Sequence, residues 1–66
     1  MVGTLYVHVA DKNRFLLVRS DVGFPHSHFD RISWRFLAIG VEPTTDEAVA
    51  SLKERGFHQS SLLTER

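Results

Sequence analysis

The sequence has no cysteine, no net charge and no long apolar run. Without cysteine, disulfide bonds and thiolate zinc sites are excluded. Eight basic residues balance eight acidic ones, so charge gives no reason to expect bulk attraction to nucleic acid. The 66 residues favour a single domain, 1–66. A domain this small usually needs an unusually well packed core, a metal ion or a partner chain to be stable.

No apolar stretch approaches the roughly 20 residues that cross a bilayer, so we expect no membrane partner. The first residues, "MVGTLYVHVADKNR", lack the basic and then apolar layout of a signal peptide. We therefore expect a cytoplasmic protein.

Three segments have the composition of β-strands, being rich in β-branched and aromatic residues. They are "TLYVHV" (4–9), "RFLLVRS" (14–20) and "RISWRFLAIGV" (31–41). The short turn "ADKN" between the first two predicts an antiparallel hairpin. The stretch 21–30 is punctuated by glycine and proline and is predicted to be irregular.

The stretch "EPTTDEAVASLKERGF" carries the signals of one helix. Thr44 is predicted to cap its start, with Glu47 as the capping-box partner. Gly56 suits the left-handed position after the last turn, and Phe57 can pack back on Leu52. A last strand is predicted over 57–63. The sequence thus predicts an α+β fold of order β-β-β-α-β, with one helix packed on one face of a small antiparallel sheet.

Two of the three predicted strands are apolar on both faces, although one short helix can cover only one face. An uncovered apolar face usually marks an interaction site. We therefore expect a homodimer or another protein partner at this face. The expected interface residues are Tyr6, His8, Leu16, Val18, Leu37 and Ile39. Alternatively, the stretch 21–30 folds over the same face through Phe24 and Phe29.

The run "HSHFD" places His26, His28 and Asp30 at alternate positions. In extended backbone their side chains would point the same way, and such groups are good zinc ligands. The run resembles the H-x-H-x-D stretch of the metallo-β-lactamase superfamily, which implies zinc and metal-bound water as the attacking group. That fold needs further histidines downstream, and here only His58 follows. The favoured interpretation is that these residues form a polar loop that binds no metal or cofactor. The alternative is a zinc ion bound by the three residues.

A second alternative is single-stranded nucleic-acid binding through Arg14, Arg35 and the aromatic residues near them. Trp34 and Phe36 are more simply explained as core residues. No nucleophile elbow or glycine-rich phosphate loop is present, so no catalytic residue and no enzymatic activity is predicted.

The layout "YVHVADKNRFLLVRSDVGFP", a tryptophan and then "EAVASLKERGF" resembles small uncharacterised bacterial proteins, including the YcgL-like ones. The resemblance implies an α+β fold and no known activity. Taken together, these features predict a small non-enzymatic bacterial interaction module that acts as a homodimer.

Overall fold

The computed structural model describes residues 2–61 of the chain. The elements in chain order are β1 (Gly3–His8), β2 (Arg14–Arg19), a 3-10 helix (Arg31–Ser33), β3 (Trp34–Val41), α1 (Asp46–Glu54) and β4 (Phe57–Ser61). The four strands form one antiparallel sheet in the order β3-β1-β2-β4. The predicted α+β class and element order are confirmed. The predicted last strand is confirmed up to Ser61, and residues 62 and 63 lie outside the described part.

The turn between β1 and β2 is held by its own side chain, as the sequence predicts. The Asp11 carboxylate accepts a hydrogen bond from the Asn13 amide at 3.1 Å. The Arg14 amide donates to the Asp11 carbonyl at 3.0 Å. This tight turn sets the register of the hairpin, in which Val7 lies opposite Phe15.

The residue that caps the start of helix α1 is one position later in the chain than the sequence predicts. The Thr45 hydroxyl, rather than that of Thr44, accepts from the Ala48 amide at 3.1 Å. At the other end Gly56 has a φ of +86°, the left-handed conformation expected of it. Its amide is shared between the Leu52 carbonyl at 3.1 Å and the Ser51 carbonyl at 3.2 Å, and these bonds close the end of the helix.

The two faces of the sheet are covered by different parts of the chain. Helix α1 packs against β2 and β4 through its buried residues Ala48, Ser51 and Leu52. Leu17 of β2 and His58 of β4 lie opposite each other in the sheet, and the helix lies on the face to which they belong. This face is called the helix face below. The part of the helix face formed by β1 and β3 lies beyond the helix.

The opposite side, the loop face, is covered by residues 21–30, the covering loop. Phe24 and Phe29 pack there on a buried cluster. The cluster consists of Leu16, Val18, Trp34 and Phe57. Of the two expectations for this face, cover by a partner chain and cover by residues 21–30, the structure shows the second. The rings that the covering loop supplies bury Leu16 and Val18 almost completely.

Strand β3 departs from the strict alternation that the sequence pattern predicts. Phe36 lies opposite Tyr6 and Ala38 opposite Leu5, so Leu37 is an extra residue on the β3 side. A second register shift follows around Gly40, which has a φ of +68°. Ala38 consequently shares a face with Leu5, whereas strict alternation along the strand would place it on the same face as Trp34.

No helix within residues 2–61 is long and apolar enough to cross a membrane.

Candidate functional site at the free edge strand

Strand β3 lies at the edge of the sheet and exposes apolar side chains. Phe36 is 56% exposed, Leu37 is 50% exposed and Ile39 is 71% exposed. These three residues are called the β3 strip below. A long apolar edge strand is a ready template for another chain, and soluble proteins usually protect such edges with charges or proline. Between Phe36 and Val41 this strand carries neither.

A shallow groove of about 320 Å³ lies beside the β3 strip. It is lined by Val7, His8, Val9, Lys12, Phe15, Arg35 and Leu37. Val7 lies between Phe15 and Arg35 in the register of the sheet, which places the groove on the uncovered part of the helix face. The floor is apolar, and the lining includes the basic residues Lys12 and Arg35 but no carboxylate.

Opposite charges mark the two ends of the β3 strip. Arg35 precedes it and Glu42 follows it, and both side chains are exposed. The six residues between them, "FLAIGV", are uncharged. The site therefore has a basic end at the groove, an apolar centre and an acidic end.

The six expected interface residues are divided between surface and core. Leu37 and Ile39 are exposed on β3, whereas Leu16 and Val18 are buried beneath the covering loop. Because only exposed side chains can meet a partner without unfolding the loop, the candidate surface moves from the centre of the loop face to the edge of the sheet.

The two remaining expected residues, Tyr6 and His8, are half-buried. Tyr6 meets the Phe24 ring edge to face, with centroids 5.3 Å apart, and the guanidinium of Arg31 lies 4.9 Å from its ring centre. His8 packs edge to face on Trp34, accepts a hydrogen bond from the Ala10 amide at 3.1 Å, and also lines the groove. His8 therefore borders the groove, and Tyr6 lies opposite Phe36 of the β3 strip.

The proposed zinc ligands do not form a shared site. The amides of His28 and Phe29 both donate to the Pro25 carbonyl at 3.0 Å, so the backbone turns and lacks the extended form that the zinc alternative required. The ring of His26 packs on Phe24, and that of His28 packs on Phe57. Within residues 2–61, no group of three or more histidine, cysteine or acidic side chains is placed to hold a metal ion.

The ring proposed for base stacking is inside the protein. Trp34 is buried, with Phe29 against it and the guanidinium of Arg14 lying 5.8 Å from its ring centre. A base could not stack on this ring without displacing the covering loop. Arg35 lies at the groove instead, so the two arginines proposed for this role do not flank an open aromatic platform.

Sequence reasoning missed Lys12 and Glu42 as parts of the site. Lys12 was assigned only to a turn, and its place at the groove follows from the way the hairpin ends beside Val7 and Phe15. Glu42 could have been found from the opposite charges that flank an uncharged run on a predicted strand.

The chain has no match among protein-family models, curated proteins or solved structures. The resemblance to the YcgL-like proteins stays a prediction.

Proposed function

We propose that this chain is a small bacterial interaction module, non-enzymatic and cytoplasmic, that forms a homodimer through the β3 strip. The observation that carries the proposal is the position of the strip. Phe36, Leu37 and Ile39 are at least half exposed on an edge strand, in a domain too small to leave much apolar surface unburied.

The free energy available at the strip supports association. Complete burial of a Leu, Ile or Phe side chain is worth roughly 1.5–3 kcal/mol. Because each of the three is at least half exposed, covering it recovers on the order of 1 kcal/mol per side chain. A two-fold contact doubles the gain, since both copies contribute the same surface.

The shape of β3 favours contact through side chains over a long continuous ladder. The extra residue Leu37 and the left-handed Gly40 interrupt regular pairing, and such irregularities weaken the addition of another strand. The same irregularities expose Leu37 beside the groove, where an apolar side chain of a second copy can pack. The strip is therefore suited to a specific partner surface.

Substitution at the centre of the strip tests the proposal. Leu37→Glu places a charge in the contact and should convert the dimer to a monomer, as measured by light scattering after size exclusion. Lys53→Glu, on the exposed side of α1, is the matched control and should leave the mass unchanged. Circular dichroism confirms that both variants are folded. A folded Leu37→Glu variant that keeps the wild-type dimer mass would contradict the proposal.

A further inference from the structure

We infer that Arg35 and Glu42 set the orientation of the dimer, each Arg35 pairing with Glu42 of the second copy. The inference rests on the homodimer proposed above and adds the charge pair that makes the contact specific. Arg35 and Glu42 are both exposed, whereas the apolar strip alone would not fix the relative direction of the two β3 strands.

Arg35 and Glu42 cannot pair with each other inside one chain. Six residues of β3 lie between them, so their Cα atoms are roughly 20 Å apart, well beyond the reach of the two side chains. Within residues 2–61 the one ion pair joins Arg19 to Asp21, at the far side of the hairpin. Both ends of the β3 strip therefore present a charge to an incoming chain.

A two-fold axis near Ala38 and Ile39 brings unlike charges together. Such an axis reverses the direction of β3, so the basic end of one copy meets the acidic end of the other. The opposite, parallel arrangement would place Arg35 beside Arg35 and Glu42 beside Glu42. Like charges across a contact suppress the wrong arrangement, which makes the pattern a device for orientation as well as attraction.

The groove strengthens the basic end. Lys12 lines it together with Arg35, and no carboxylate lies among its lining residues. A carboxylate that enters from a second copy would meet two cations, Arg35 and Lys12, at the same groove. Glu42 follows the last residue of β3 directly and is the acidic side chain that the two-fold arrangement carries to this place.

Charge reversal gives a test that does not depend on loss of folding. The single variants Arg35→Glu and Glu42→Arg each create two like-charge contacts per dimer, and each should weaken self-association about tenfold or more at low salt. The double variant, which carries both changes, should recover wild-type association. Glu54→Arg on helix α1 is the control for charge reversal and should not alter association.

A mixture of the two single variants tests the charge pairing most directly. A mixed dimer would contain one chain with two acidic ends and one with two basic ends, so both contacts become attractive. Sedimentation equilibrium of the mixture should show tighter association than either variant alone. A wild-type dimer whose affinity is unchanged by the single reversals, or a mixture no tighter than its components, would overturn the charge pairing while leaving the dimer proposal intact. A monomeric wild-type chain would overturn both.

Discussion

Phe29 meets Trp34 edge to face, with ring centroids 5.7 Å apart and ring planes at 85°. Phe29 also meets Phe57 edge to face at 5.3 Å, so one loop residue joins β3 to β4 across the loop face. Edge-to-face pairs of this kind are worth roughly 0.5–1.5 kcal/mol beyond the area they bury. The covering loop is therefore part of the hydrophobic core, although it has no regular secondary structure.

Phe29→Ala should destabilise the fold by about 2–3 kcal/mol, because the substitution removes both ring contacts and opens a cavity over Trp34. Urea unfolding at one fixed protein concentration measures the change. Ile32→Ala is the control, since Ile32 is 82% exposed and should change the free energy of unfolding by less than about 0.5 kcal/mol. Equal effects of the two substitutions would show that the loop does not hold the core.

Gly56→Ala should cost about 1 kcal/mol or more of stability. Its φ of +86° is unfavourable for alanine, and the added Cβ would lie 3.2 Å from a Val22 methyl group. Gly40→Ala should cost only the backbone strain, because nothing lies near the added methyl group. Gly23→Ala, with neither strain nor contact, should be neutral or slightly stabilising. Thermal unfolding of the three variants gives the order, and a different order would contradict the geometry.

Thr45→Ala should lower stability by about 1 kcal/mol, since it removes the hydroxyl that caps helix α1. Thr44→Ala is the matched control and should be near neutral. Urea unfolding of the two variants side by side separates the predictions. The reverse result would show that the helix begins where the capping-box pattern had placed it.

The sequence predicts those elements whose structure is determined by nearby residues. It does not predict features that depend on contacts between distant parts of the chain. The Asp11 turn and the left-handed Gly56 are local, and both are confirmed. The cap is Thr45 and not the predicted Thr44. Two neighbouring threonines carry almost the same capping signal, so the sequence alone does not choose between them. Cover of the loop face by Phe24 and Phe29 was one of two expectations, and periodicity could not decide between them because the loop that holds them has none.

In the candidate site, too, some features could be predicted from the sequence and others depend on contacts with distant residues. Exposure of Leu37 and Ile39 follows from a surplus of apolar residues that the sequence displays. The extra residue in β3 could not be predicted, because a bulge depends on pairing with β1 and leaves no local mark. The zinc alternative required extended backbone at His26 and His28, and the chain turns there instead because the Pro25 carbonyl accepts the amides of His28 and Phe29.

Zinc should not bind at His26, His28 and Asp30 with a defined stoichiometry, because the turn directs the two imidazoles to different aromatic partners. His58 cannot complete such a site without refolding, since it lies on the helix face of β4, away from the covering loop. Isothermal calorimetry at neutral pH measures the uptake. Binding of one zinc ion per chain that disappears in His28→Ala would contradict this arrangement.

The molar mass of the wild-type chain in solution tests the central claim most directly. Sedimentation equilibrium at tens of micromolar should give twice the 7.5 kDa of a single chain, with dissociation on dilution. The β3 strip would then be covered by a second copy. A mass of one chain across the whole concentration range, for a protein with a cooperative unfolding transition, would contradict the account and leave the strip exposed in the stable fold.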